Sequence, residues 1–113
     1  MDVLTRGQVA QIRHLNDNFR TSFRGGKIVL TQSVSDLPEM VKTAALQKVA
    51  EFTDFNKDND PHEEHDFLSF ELCNRHFIFS IVYYDKKLEH GSPDPSDPNV
   101  TIRIGTLMMA SDW

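Results

Sequence analysis

Between Asp54 and Phe67 the chain reads DFNKDNDPHEEHDF, a stretch dense in side chains able to hold a cation, move a proton or meet a basic surface. Glu51, Asp54, Asp58, Asp60, Glu63, Glu64 and Asp66 fall within sixteen positions, against Lys57 and the histidines His62 and His65. Such density repels itself unless a cation, a partner surface or a hydrogen-bond network offsets it. Asp54, Asn56, Asp58 and Asp60 alternate like the ligands of a calcium loop, although Asn59 stands where that loop needs glycine and His65 where it needs glutamate. A magnesium-type site would draw on Asp60, Glu64, His65 and Asp66. His62-x-x-His65 and Cys73-x-x-His76 have zinc-like internal spacings, but an extended strand over Asp66–Leu72 would hold the pairs about 25 Å apart at ~3.3 Å per residue.

Hydrolytic chemistry is a further reading of the same stretch. Glu64, His65 and Asp66 supply acid-base groups that Asp85, Asp94 and Asp97 could join in the fold, as a metal-assisted phosphodiester hydrolase would require. No nucleophile elbow, triad context or glycine-rich phosphate loop accompanies them. Against all these chemistries stands a structural reading. Asp and Asn near proline form turns by bonding nearby backbone donors, so that Asp58, Asn59 and Asp60 cap a turn and His65 is a satisfied, half-buried residue.

The elements that must position this stretch are legible from period and punctuation. Thr5 and Gln8 form a capping box, and Val9, Ile12, Leu15 and Phe19 recur at helical spacing until Gly25 and Gly26. Lys27–Thr31 is a short strand from its β-branched content. A second helix is announced by Asp36 and Glu39 with Pro38 in its first turn, and its core face is Leu37, Met40, Val41, Ala44, Ala45, Val49 and Phe52. It delivers the acidic stretch at its C-terminal end, where the macrodipole is already negative and a cation or hydrogen-bond donors must compensate. Asp66–Leu72, His76–Tyr84 and Val100–Met109 read as strands. The first two form a hairpin across Cys73, Asn74 and Arg75, and the second is central because both its faces are bulky. Gly91–Pro98, GSPDPSDP, is a loop or ordered turn.

A chain of 113 residues, 39% hydrophobic and 26% charged, is of a size and composition to fold as one domain over residues 1–113. One cysteine, Cys73, excludes an internal disulfide, and with neither an N-terminal signal segment nor a long apolar run the expected setting is the cytoplasm, away from membranes. A net charge of -5 disfavours direct nucleic-acid binding and suits basic partners.

Taken as an ordered set, LND..R (Leu15 to Arg20), LT.SV (Leu30 to Val34), VAEFTDFNKDNDP..EHDF (Val49 to Phe67), YYD (Tyr83 to Asp85) and GSPDPSDP..T.R..T.M.A (Gly91 to Ala110) resemble a bacterial family, domain-of-unknown-function family 3768. The resemblance implies a small proteobacterial protein often carried on plasmids and other mobile DNA, near genes of antirestriction type, and implies no particular reaction. It carries over Asn16, Asp17, Arg20, Thr31, Asn59, Asp60, Pro61, Glu64, His65, Asp66, Phe67, Tyr83, Tyr84, Asp85, Ser92, Asp94, Asp97 and Arg103. The chain departs from the family pattern at Ser33 and Leu68, where glycine is usual, and at Ser80 and Val82, where a lysine and an aspartate are.

These readings together predict an α+β domain, two helices packed on one face of a mostly antiparallel sheet of about four strands, in the order αβαβββ. The expected function is that of a small acidic, non-enzymatic accessory protein of mobile DNA. It would inhibit a host defence complex of CRISPR or restriction type by offering Asp54, Asp58, Asp60, Glu63 and Glu64 to a basic nucleic-acid-binding groove, without a cofactor. The alternative is a phosphodiester hydrolase or a metal-binding structural protein, holding magnesium or calcium at Asp60, Glu64, His65 and Asp66.

Overall fold

A computed structural model describes residues 4–113. Helix α1 (Arg6–Ser22) starts at the expected capping box: the Gln8 N–H donates to Thr5 Oγ1 at 3.0 Å and the Thr5 N–H to Gln8 Oε1 at 2.9 Å. It ends one turn earlier than the glycine pair, at Phe23, whose left-handed backbone (φ 59°) returns its N–H to the Phe19 carbonyl. Gly26 instead opens strand β1 (Gly26–Leu30), where a Cβ would run into the Arg103 carbonyl of the neighbouring strand and the Phe19 ring.

A four-residue helix, α2 (Gln32–Ser35), stands where no helix was expected and drives Val34 into the core. Helix α3 (Glu39–Glu51) then begins from Pro38 as N-cap, without a side-chain cap. Asp36 and Glu39 therefore form no capping box: Asp36 closes α2, accepting from Gln32 Nε2 at 2.8 Å, and Glu39 pairs with Lys42 at 2.7 Å. Ala45 and Val49 are buried in the face that α3 turns inward, but Met40 is 85% exposed and leaves the expected stripe.

Strands β2 (Phe67–Leu72), β3 (Arg75–Tyr84) and β4 (Ile102–Met109) join β1 in a sheet ordered β1-β4-β3-β2, antiparallel except for the parallel β1–β4 pair. The β2–β3 hairpin closes between Leu72 and Arg75 through Cys73 and Asn74, both at positive φ (53° and 59°), the left-handed pair that suits strand twist. β3 is central, as its two bulky faces require. Phe77, Phe79 and Ile81 point to one side, where they form the core with Leu68, Leu107, Phe19, Val34, Ala45 and Val49. Gly105, opposite Ile81, leaves the space that the Phe79 and Phe19 rings fill. All three helices thus contribute to the same side of an α+β sheet, and a 3-10 turn at Ala110–Asp112 ends the chain. Among the described residues no helix is long and apolar enough to cross a membrane.

Candidate functional site

The acidic loop starts where Phe52 leaves α3 in extended backbone. Asn56 Oδ1 accepts from the backbone N–H groups of Asp58 (2.8 Å) and Asn59 (3.0 Å). Asn59 replies from its own amide, accepting the Asn56 N–H at 2.8 Å and donating to the Asp54 carbonyl at 2.7 Å. Asp60 Oδ1 accepts the His65 N–H at 3.2 Å. Of the four side chains that a calcium loop would aim at one ion, Asn56 and Asp60 are thus occupied by backbone donors; with Asn59 they make the turn, to which the Asp58 carboxylate contributes no bond. Glu63 and His65 both adopt left-handed backbone (φ 59° and 55°), a strained arrangement that persists only where surrounding contacts hold it.

Those contacts form two connected chains of hydrogen bonds. In the first, Arg20 on α1 donates from Nη1 to the Val49 carbonyl at the end of α3 (3.0 Å) and from Nε to Asp17 (3.0 Å). The cost of delivering acids to a helix C-terminus is therefore met by a guanidinium from another helix. Asp17 Oδ1 and Oδ2 lie 2.9 and 3.2 Å from His65 Nδ1, and because a carboxylate can only accept, that nitrogen carries the proton. On the far side of the ring, Nε2 stands 3.5 Å from Asp60 Oδ2. The imidazole stacks on Phe55 at 3.7 Å between centroids, and Arg20 lies 5.1 Å from the centroid of that phenyl ring.

In the second chain Asn16 is the junction. Its Nδ2 donates to the Tyr83 hydroxyl (2.8 Å) and to the Glu64 carbonyl (2.9 Å), while its Oδ1 accepts from Arg103 Nε (2.7 Å). The Tyr83 hydroxyl donates to Glu64 Oε1 at 2.7 Å, and Arg103 donates from Nη2 to the Pro95 carbonyl at 2.7 Å. One network thereby fastens the acidic loop and the proline loop to α1, β3 and β4. Burial, reinforced by the Glu64 carboxylate, pushes the Tyr83 phenol far above its ordinary range, so it stays a neutral donor. Burial also lowers Arg103, against the stabilising charge of Glu64. The Asp66 carboxyl is raised by burial first and by the charges of Glu64 and Asp60 next.

The expected sites change accordingly. Asp54, Asp58 and Glu63 are exposed, but Asp60 is only 6% exposed and Glu64 is half-buried, so these two face the protein interior rather than a partner. Asp60, Glu64, His65 and Asp66 do not converge on one point: Asp60 turns to His65, Glu64 to Tyr83 and His65 to Asp17. Among the described residues no three of His, Cys, Asp and Glu come together as a cation would need, and β2 stands between the two zinc-like pairs. Asp85 accepts from the N–H groups of Lys87 and Glu89, Asp94 from Ser96 and Asp97 from Asn99, each serving its own turn instead of joining the acid-base groups.

A cleft of about 380 Å³ opens beside the loop, lined by Arg13, Phe55, Asn56, Lys57, Asp60, Glu63 and His65. Arg13 Nη1 donates to the Glu63 carbonyl at 2.9 Å and ties the loop to α1. A histidine held by a carboxylate is the geometry of a general base, and the second nitrogen of His65 lies 3.5 Å from Asp60 Oδ2, a contact that pairs the two only when the imidazole carries both protons. The arrangement ties the loop to α1 and β3 through His65 and Glu64. Among the described residues every buried side-chain N or O has a hydrogen-bond partner.

Arg13 and Phe55 were not among the expected site residues, and Asn16, Asp17, Arg20, Tyr83 and Arg103 entered only through the resemblance. The signal for Asn16 and Arg20 lay in their period: with Ile12 and Phe19 they occupy the i, i+4, i+7, i+8 positions of α1, and all four are buried. Polar side chains on an inward stripe require buried partners.

A family model described as "Protein of unknown function (DUF3768)" matches residues 30–112. No curated protein and no solved structure matches. Asn16, Asp17 and Arg20 precede the matched span and belong to the site on geometry.

Proposed function

The chain belongs to the DUF3768 family, and from the division of labour within its acidic loop we propose a non-enzymatic accessory protein of mobile DNA that binds and inhibits a host defence complex of CRISPR or restriction type. The observation that carries this reading is which way the loop's charges face. Asp60, Glu64 and His65, the groups able to do acid-base chemistry, are turned inward and paired. Asp54, Asp58 and Glu63 are turned outward on a loop that the inner network holds rigid. Carboxylates on a preorganised surface suit a basic groove built for nucleic acid, because little ordering remains to be done on binding. The net charge of -5 steers the same encounter. The setting on mobile DNA follows from the resemblance.

A magnesium- or calcium-dependent phosphodiester hydrolase, or a structural metal protein, would need Asp60, Glu64 and His65 to abandon their present partners and turn with Asp66 to one ion.

The test is establishment of a targeted plasmid in cells carrying a CRISPR or restriction system and expressing this chain. Wild type should rescue establishment, and the triple reversal Asp54→Lys, Asp58→Lys, Glu63→Lys should abolish rescue while the purified variant keeps its unfolding temperature. Rescue that survives the reversal would overturn the mechanism.

A further inference from the structure

The face of the sheet opposite the helices is largely apolar and lies outside the main core cluster; Ile78 at its centre is buried, Trp113 packs edge-on against Phe67 at 5.3 Å between ring centroids, and Trp113 itself is 72% exposed. Alternation along the strands sends Val29, Phe67, Ile78, Val82, Ile104 and Met108 to that side, with Ile104 beside Val82 and Met108 beside Ile78 on neighbouring strands. Val29 and Val82 remain 44% and 45% exposed. An antiparallel sheet with one solvated face ordinarily shows polar residues there. Here the central polar positions are the neutral Ser80 and Thr106, and the charged residues are Lys27 on edge strand β1 and Glu71 on edge strand β2, with His76 at the hairpin end.

We infer that this face is a homodimer interface, closed by the same face of a second copy stacked on it. Size permits the assignment. Strands of 5, 8, 10 and 6 residues, each residue covering ~4.8 by ~3.3 Å, give about 460 Å² per copy, so two copies bury roughly 900 Å², the scale of a weak interface. Charge selects the occupant. Two molecules of net charge -5 repel through most of their surfaces, whereas this face has a neutral centre and one Lys and one Glu at opposite edges, so it meets its own copy without net repulsion. A basic groove would lose its hydration against it and regain no ion pair. The sheets stack ~10 Å apart with strands near 30°, as in a β-sandwich.

The experiment is the solution mass of the full chain by light scattering after gel filtration, loaded at ~100 μM so that a weak interface of this size is populated. Wild type should show twice the 13.0 kDa chain mass. Val82→Glu should return it to one chain mass with unchanged circular dichroism. Val29→Glu, at the exposed edge strand, gives the same reading if Val82→Glu fails to fold. Met40→Glu, on the helix side, should leave the dimer intact. A wild type of one chain mass, or a dimer that both sheet-face substitutions leave unmoved, overturns the inference.

Discussion

Asn16 makes three hydrogen bonds, to the Glu64 carbonyl, the Tyr83 hydroxyl and the Arg103 guanidinium. Asn16→Ala removes all three, leaving the Tyr83 hydroxyl to Glu64 alone and Arg103 to the Pro95 carbonyl alone, and should destabilise the fold by about 3 kcal/mol in urea unfolding, with the slope unchanged. Asp66 works in the opposite sense. Burial and the nearby Glu64 and Asp60 charges raise its carboxyl above the ordinary 3.8, so folding favours the protonated form. Its stabilising contribution is complete below the unfolded value and is lost as pH rises through the higher folded value. Asp66→Asn should therefore raise the unfolding temperature near pH 7, and the advantage should vanish as pH falls to about 3, below both values. An advantage that persisted at low pH would place the cause elsewhere than ionisation.

At the scale of elements, local chemistry was readable and direction was not. The Thr5–Gln8 box, the strand positions and the hairpin at Cys73–Asn74 all follow from contacts between near neighbours. The box expected at Asp36 failed because Pro38 itself became the N-cap, and α2 escaped notice because four residues make barely one turn of periodicity. The acidic stretch lies between a helix and the strands as its punctuation implies, but Asp60 and Asp58 look alike in sequence. Asp60 turns inward to His65, whose ring Asp17 holds from 48 positions away. Gly105 is a comparable case, since its need for a missing side chain comes from rings on α1 and β3. Gly105→Ala forces a methyl against Phe79 and Phe19 and should destabilise by about 1–3 kcal/mol, read as a fall in the urea midpoint.

For the molecule as a whole, the two loops, the sheet and the helices divide three tasks. The Phe77–Phe79–Ile81 face closes the core, the opposite face meets a second copy, and the rigid loop carries its charges outward. On this account the exposed carboxylates act by charge and the buried ones by holding shape, so binding to a basic partner should weaken as salt rises. The most direct measurement is rescue of a targeted plasmid by three proteins in parallel: wild type, the Asp54/Asp58/Glu63 lysine reversal, and His65→Gln, with the unfolding temperature of each. The account predicts that the reversal loses rescue at unchanged stability, and that His65→Gln loses rescue only in proportion to its loss of stability. Full stability with abolished rescue in His65→Gln would contradict it, because that residue would then be performing chemistry.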